Sequence, residues 1–334
     1  MTRGWRRLGT GVFRHLYLDA EIIGLAPDLI HFEFGSLAVG RMHLPELLGC
    51  RVVVSFRGYD LNFAGLDEPG YYEEVWREAA GVHVLGEHLW REARRRGCPP
   101  GKRHVLIPPA IAVEEFEAGP RREGELGTAE RPLRILSVGR LDWKKGYEYG
   151  LAAVARLVAR GVVCEYRIVG DGEYRPLVAF ARHQLGLEGV VELLGARPLE
   201  EVRKQLMWAD VFLHAAVSEG FCNAVVEAQA MRLPVVCTDA GGLPENVEGG
   251  VTGFVVSRRD PGALAEKLEV LARDSGLRWT MGEEARRRAR GMFRVDEQIE
   301  RFGKLYGDVM EAAPSEGLGA ERTGIVRRTE EAPR

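Results

Sequence analysis

From Leu133 onward, short β-branched runs alternate with helical patterns, and a glycine closes run after run. That alternation is the signature of βαβ units, which assemble into a mainly parallel sheet. Strands are expected at 133–138, 164–169, 190–194, 211–214 and 234–238, with helices at 146–160, 173–185, 199–208 and 223–231 between them. The glycines fall at strand ends: Gly139, Gly170 with Gly172, Gly195, Gly220, and Gly241 with Gly242. Ligands of open α/β sheets bind outside that carboxyl edge, so a site is expected there.

The first part of the chain repeats the rhythm more briefly, with strands expected at 28–32, 51–56, 82–85 and 104–107 and helices at 36–48, 72–79 and 87–96. Residues 1–26 offer one helical stretch and no strand-glycine-helix opening of the kind that begins a Rossmann-like half. The fold class is therefore α/β, two Rossmann-like parallel-sheet domains, the N-terminal one incomplete. Pro108-Pro109 ends the last strand of that part, and 114–131, rich in Glu, Gly and Arg, reads as an exposed linker. The expected division is a shortened first domain at 1–118, a linker at 119–131, a second domain at 132–295, a helix at 296–312 and a disordered polar tail at 313–334.

Lys and Arg number 46 against 49 Asp and Glu, a net charge of −3 that gives no sign of nucleic-acid binding and points to a small-molecule partner. Five cysteines without a Cys-x-x-Cys pair suit a reducing cytoplasm. The opening Met-Thr-Arg-Gly-Trp-Arg-Arg-Leu lacks the apolar region of a secretory signal, and no run approaches the roughly 18 apolar residues of a membrane span.

Between Ser218 and Ala230 the chain places Glu219 in a glycine loop and Glu227 inside the helix that follows. With the helix starting near Asn223, the amides of Gly220, Phe221 and Cys222 open towards an anion at a helix N-terminus, as a phosphate requires. Glu227 lies one turn in from Asn223 on the same face. Ionised carboxylates are pure acceptors, suited to the hydroxyls of a sugar and a ribose, so the ligand implied is a nucleotide-sugar. Read alone, the segment would equally fit a surface helix after a glycine turn. Arg140 and Lys145, in Ser137-Val-Gly-Arg-Leu-Asp-Trp-Lys-Lys-Gly146, add two cations at another strand edge, where they can bind a diphosphate. No Asp-x-Asp pair or histidine cluster suited to a divalent metal is evident, so no metal and no cofactor is expected. Cys222 has no histidine close in sequence, which argues against a nucleophilic role.

Gly139-Arg-x4-Lys-Gly146, Val169-Gly-Asp-Gly172, the Glu219-x7-Glu227 pair and Gly241-Gly-Leu-Pro-Glu245, in this order, resemble the retaining glycosyltransferases of family 4. The resemblance covers residues 133–256 and, less closely, 27–117. It implies a GT-B fold, two Rossmann-like domains facing a cleft with the donor held by the second. It implies that Arg140 and Lys145 bind the donor diphosphate, Glu219 the sugar hydroxyls and Glu227 the ribose. The backbone of Phe221, Cys222 and Asn223 would approach sugar and phosphate, Gly172 would lie in the donor site, and Leu194 to Ala196 would border the base. The reaction implied is transfer of a hexose to a saccharide or lipid-linked acceptor with retention, Arg140, Lys145 and Glu219 serving catalysis.

Two departures stand out. The family often carries a histidine where this chain has Arg57, and an arginine cannot be a general base; Arg57 and His31 are candidate cleft residues, with a strand-end surface arginine and a structural histidine as the other readings. The missing opening unit touches the acceptor side and leaves open a truncated nucleotide-sugar-binding module, while a GT-B sugar-nucleotide epimerase is a second alternative. The basic run 87–96 with Lys102-Arg103 fits an ordinary solvated helix first, and contact with anionic lipid at the inner membrane face as the alternative.

Overall fold

Aliphatic runs of four to six residues build two parallel sheets in a computed structural model that describes residue 13 and residues 17–312. The tail expected at 313–334 and nearly all of the opening segment lie outside the described residues. The first sheet runs in the order β1 (Leu29–Phe32), β2 (Arg51–Phe56), β3 (Gly81–Val84), β4 (His104–Leu106). The second contains β5 (Leu133–Val138), β6 (Cys164–Val169), β7 (Val191–Gly195), β8 (Val211–His214), β9 (Val235–Thr238) and β10 (Gly253–Val256), arranged β10-β9-β8-β5-β6-β7. The winding reverses between β5 and β8, the point at which open α/β sheets form a ligand-binding crevice. Among the described residues the first sheet has no such reversal. Every residue of β3, β8 and β9 is buried, as parallel strands covered by helices on both faces require.

Three expectations need correction. The helix expected over 36–48 is two short ones, Gly35–Ala38 and Leu44–Leu48, because Val39 is extended and Gly40 turns left-handed at φ 74°. Strand β10 and the short helices Gly58–Asn62 and Leu243–Asn246 were not foreseen. The linker is not simply exposed. Ile111, Val113 and Phe116 already belong to the buried cluster of Leu136, Phe212 and Val235 in the second domain, here called the second core, as the cluster of the first sheet is the first; Leu126 is buried, and Arg122 pairs with Asp210 at 2.9 Å. Arg121 donates to the Ala209 carbonyl at 2.8 Å and to that of Met231, so the segment is laced to the second domain by guanidinium hydrogen bonds.

The helix Val295–Glu311 crosses back to the first sheet. Phe302, Leu305, Tyr306 and Val309 recur at helical spacing and pack on Val53 of β2, each buried aliphatic contributing about 1.5–3 kcal/mol. Arg51 fixes its end, donating to the Ala312 carbonyl at 2.6 Å. The basic run near residue 90 is partly consumed within the fold. Arg96 donates to the carbonyls of Asp60, Ala64 and Gly65 at 2.7–2.9 Å, Arg94 to that of Cys98, and Arg95 pairs with Glu92. Among the described residues no helix is long and apolar enough to cross a membrane.

Candidate functional site

The loops leaving β5 and β8 meet at the crevice because Gly146 lets them. It adopts φ 60°, and a Cβ there would lie 2.2 Å from the Ala215 carbonyl oxygen, so a side chain would push the loops apart. Val217 donates its amide to the Lys144 carbonyl at 2.8 Å, locking the segments together. Lys145 on the first loop thereby reaches Glu219 on the second, its Nζ donating to Oε2. The carboxylate is 13% exposed and the ammonium 19%, so the pair sits where water screens little.

A third and fourth side chain complete the cluster. His214, the last residue of β8 and 4% exposed, places Nε2 3.4 Å from Glu219 Oε2. Burial opposes the charge of His214, but Cys222 and Glu219 outweigh it and raise its pKa to about 9. Burial likewise opposes ionisation of Glu219, yet His214 and Lys145 bring its pKa down to about 2. Lys145 is held above the ordinary lysine range, burial being outweighed by Cys222 and Glu219. The Cys222 thiol is lowered, with His214 and Lys145 overcoming burial. The expectation that Cys222 lacks a histidine partner is therefore wrong in space. The ligand atoms of His214, Glu219 and Cys222 all lie within 4.8 Å of one another. By type they would suit a thiophilic dication, contrary to the sequence reading, but Lys145 already supplies a positive charge at Glu219.

The helix Asn223–Ala230 starts at this cluster, with Cys222 as its N-cap. One of the three amides expected to face an anion does not. The Cys222 N–H donates to the buried Asn246 side chain at 3.2 Å, while those of Gly220, Phe221 and Asn223 have no acceptor among the described residues. Asn223 is exposed at the helix start. Arg140 is exposed at the edge of β5 and close enough to Lys145 for its charge to be felt there, and it makes no ion pair among the described residues. Glu227, half-buried, has its pKa raised by burial, with Arg203 pulling the other way. It lies one turn into the helix, and among the described residues no hydrogen bond or ion pair joins it to Lys145 or Glu219. Leu194 packs on the second core beside Gly195, whose carbonyl accepts from Gly170 at 2.9 Å. Gly172 is needed for packing: a Cβ would lie 2.4 Å from the Leu141 carbonyl oxygen.

The first domain faces this cluster closely. A Cβ on Gly58 would lie 3.0 Å from the Gly220 backbone, and Phe221 packs on both the first and second cores. Lys144 sits over the Phe63 ring at 5.0 Å. Glu245, in the glycine motif after β9, accepts the amides of Glu87 at 2.8 Å and His88 at 2.6 Å and so caps a helix of the opposite domain. Gly242 donates to the Glu219 carbonyl at 2.9 Å, which gives Gly241-Gly242 the role of supporting the Glu219 loop.

The two residues expected in the cleft from the first domain are otherwise engaged. Arg57 pairs with Glu33 at 2.5 Å and lies over Phe34. His31 hydrogen-bonds Tyr306 at 2.8 Å and Ser55 at 2.7 Å, and Ser55 in turn bonds His83. That chain anchors the C-terminal helix and gives His31 a structural role. Neither contacts the Lys145–Glu219 cluster. His214 is the site residue that sequence reasoning missed; its position two residues past the middle of a buried strand looked like core, and only its spacing of five to Glu219 hinted otherwise.

Comparison with known proteins identifies the family and the fold. The sequence profile described as "Glycosyl transferases group 1" matches residues 121–288, half of the chain. WcaL of Salmonella typhimurium, named for colanic acid biosynthesis, is 32% identical over 259 residues, 74% of this chain and 62% of that protein. The amylovoran biosynthesis glycosyltransferase AmsK of Erwinia amylovora is 31% identical over 248 residues, 72% of this chain and 60% of that protein. The chain thus spans about three-fifths of the length of these curated relatives. Among solved structures, Anabaena Alr3699/HepE in complex with UDP superposes with a TM-score of 0.76 at 20% identity, covering 87% of this chain and 82% of that one. These neighbours establish the GT-B fold. With the profile spanning the whole Lys145–Glu219 site, the chain belongs to the glycosyl transferases group 1 family.

Proposed function

We propose that this protein is a retaining hexosyltransferase that moves a sugar from a nucleotide-sugar to a saccharide, free or lipid-linked, without a metal. The observation that carries the reading is the Lys145–Glu219 pair at the start of Asn223–Ala230, at the winding reversal of the second sheet. Lys145, exposed Arg140 and the free amide of Asn223 supply positive charge for a diphosphate, each charge-assisted bond contributing about 1.5–3 kcal/mol. Glu219 accepts from sugar hydroxyls and Glu227 from the ribose. Gly172 and Leu194 lie on the neighbouring strand edges, on the side assigned to the rest of the nucleotide. HepE is described in complex with UDP, which makes UDP-sugars the first donors to test.

In the proposed reaction the bond between the anomeric carbon and the diphosphate oxygen breaks, its electron pair leaving with the diphosphate. The acceptor oxygen bonds the same face of the sugar, and its proton passes to the departing oxygen. The transition state carries positive charge on the ring and growing negative charge on the diphosphate. Arg140 and Lys145, fixed at the latter, act as a preorganised anion clamp.

Calorimetry with UDP-glucose, GDP-mannose and ADP-glucose on the protein and on Arg140→Ala and Glu219→Ala tests the site. Loss of affinity in both variants is expected, and unchanged affinity in both rejects it. Proton NMR of the product's anomeric coupling tests retention: an α-linked donor giving a β-linked product overturns it.

A further inference from the structure

Lys145 is asked to serve two anions. In the structure it is bound to Glu219, whereas the function proposed above, on which this inference rests, needs it on a diphosphate. A carboxylate as enclosed as Glu219 is strongly disfavoured without a cation beside it, so a lysine that left it for the donor would strand the charge. A second cationic group is in place. His214 is anchored at the end of a fully buried strand, 4% exposed, with Nε2 3.4 Å from the Glu219 oxygen that Lys145 also takes. Cys222 belongs to the same cluster, its Sγ within 4.8 Å of the His214 and Glu219 ligand atoms.

We propose that His214 is a positioning residue whose imidazolium holds the Glu219 carboxylate in place and thereby frees Lys145 to move to the donor diphosphate. His214 touches neither sugar nor diphosphate. It acts through Glu219, and the sharing lets one lysine exchange a side-chain anion for a substrate anion at little net electrostatic cost. The raised pKa of His214, about 9, agrees with the geometry. The ionisable groups that face His214 are Glu219, Cys222 and Lys145; Tyr147 and Arg140 stand behind them, against Lys145 and Cys222.

The test has two arms. Histidine imidazole NMR on the ligand-free protein reads the charge directly: His214 is expected to stay doubly protonated at pH 8 and to lose that proton at lower pH in Glu219→Gln. A neutral His214 at pH 8 overturns the proposal whatever the donor is. The second arm measures UDP-glucose affinity in the protein, His214→Ala, His214→Gln and Cys222→Ser, each checked for folding by circular dichroism. Both His214 variants are expected to bind at least tenfold more weakly at pH 7.5. Affinity of the unaltered protein should fall as pH rises through about 9, that of Cys222→Ser should fall at lower pH because the thiol helps hold the imidazolium, and that of His214→Gln should stay level. Full recovery of affinity by glutamine, or the same pH profile in His214→Gln, marks a merely structural residue and overturns the proposal. Should no nucleotide-sugar bind the unaltered protein, the donor reading fails, and the imidazole arm still decides whether His214 carries the charge.

Discussion

Gly58 and Gly220 meet backbone to backbone across the cleft. A Cβ on Gly58 would come within 3.0 Å of the Gly220 amide nitrogen, and one on Gly220 within 2.8 Å of that of Gly58. Closure of the two domains over the Glu219 loop thus depends on both positions lacking a side chain.

Gly58→Ala is expected to hold the domains apart without unfolding either. Alanine at a helix start costs nothing locally and gains up to about 1 kcal/mol. The variant should show a larger radius of gyration in small-angle scattering and a turnover reduced about tenfold or more, which corresponds to roughly 1.4 kcal/mol of lost transition-state stabilisation. An unchanged radius and rate would mean that the contact does not govern closure.

Glu245 caps the helix Glu87–Arg95 from the opposite domain. Glu245→Ala leaves two amides without their acceptor and should lower stability by about 0.5–2 kcal/mol, the usual value of a helix cap. Chemical denaturation checks this, and hydrogen exchange should rise at Glu87 and His88 in particular. Protection unchanged at those amides would contradict the assignment.

The cluster predicts a stability window in pH. Glu219, lowered from 4.5 to about 2, contributes stability that is present above 4.5 and lost as pH falls through 2. His214, raised from 6.5 to about 9, contributes stability that is complete below 6.5 and lost as pH rises through 9. Both contributions are whole between about pH 4.5 and 6.5. Urea titrations across pH 3–10 should show Glu219→Gln flattening the acid side and His214→Gln the alkaline side; a profile unaltered by either variant would contradict the charges assigned here.

Ser55 joins His31 to His83, and His31 joins the C-terminal helix through Tyr306. Burial, together with the charges of His31 and Arg57, lowers the His83 pKa to about 4 despite the Ile107 carbonyl, so His83 is neutral in the folded protein. Ser55→Ala removes a partner from two enclosed imidazoles and should cost about 1–3 kcal/mol, the penalty for buried groups left unsatisfied. Loosened docking of Val295–Glu311 should appear as faster tryptic cleavage at Arg301 and Lys304. Cleavage at the original rate would show that the chain of hydrogen bonds does not hold the helix.

Much of this was legible in the sequence where the signal was local. β2, β5, β6 and β8 fall where their β-branched runs lie, because period and turn chemistry are properties of a few neighbouring residues. Lys145 and Glu219 could be assigned to one donor site from the glycine loops that carry them, though not to each other. What escaped depends on distance along the chain. Tyr306 meets His31 across 275 residues, and Asn246 takes the Cys222 amide from 24 residues away, so neither the docking of the last helix nor the loss of one anion-facing N–H could be seen in a local pattern. Arg57 looked free at a strand end, but Glu33, equally placed on the neighbouring strand's exit, claims it. His214 was hidden by its own burial: a strand residue with no exposed face reads as core until the fold brings Glu219 back against it.

The central claim is that the Lys145–Glu219 pocket receives a nucleotide-sugar. A thermal-shift panel of UDP-, GDP- and ADP-sugars on the protein and on Glu219→Ala tests it most directly. A true donor at 100 times its dissociation constant should stabilise the protein by about 2.7 kcal/mol, with the shift abolished in Glu219→Ala. Absence of a shift with every nucleotide-sugar, or a shift that survives the substitution intact, would contradict the claim.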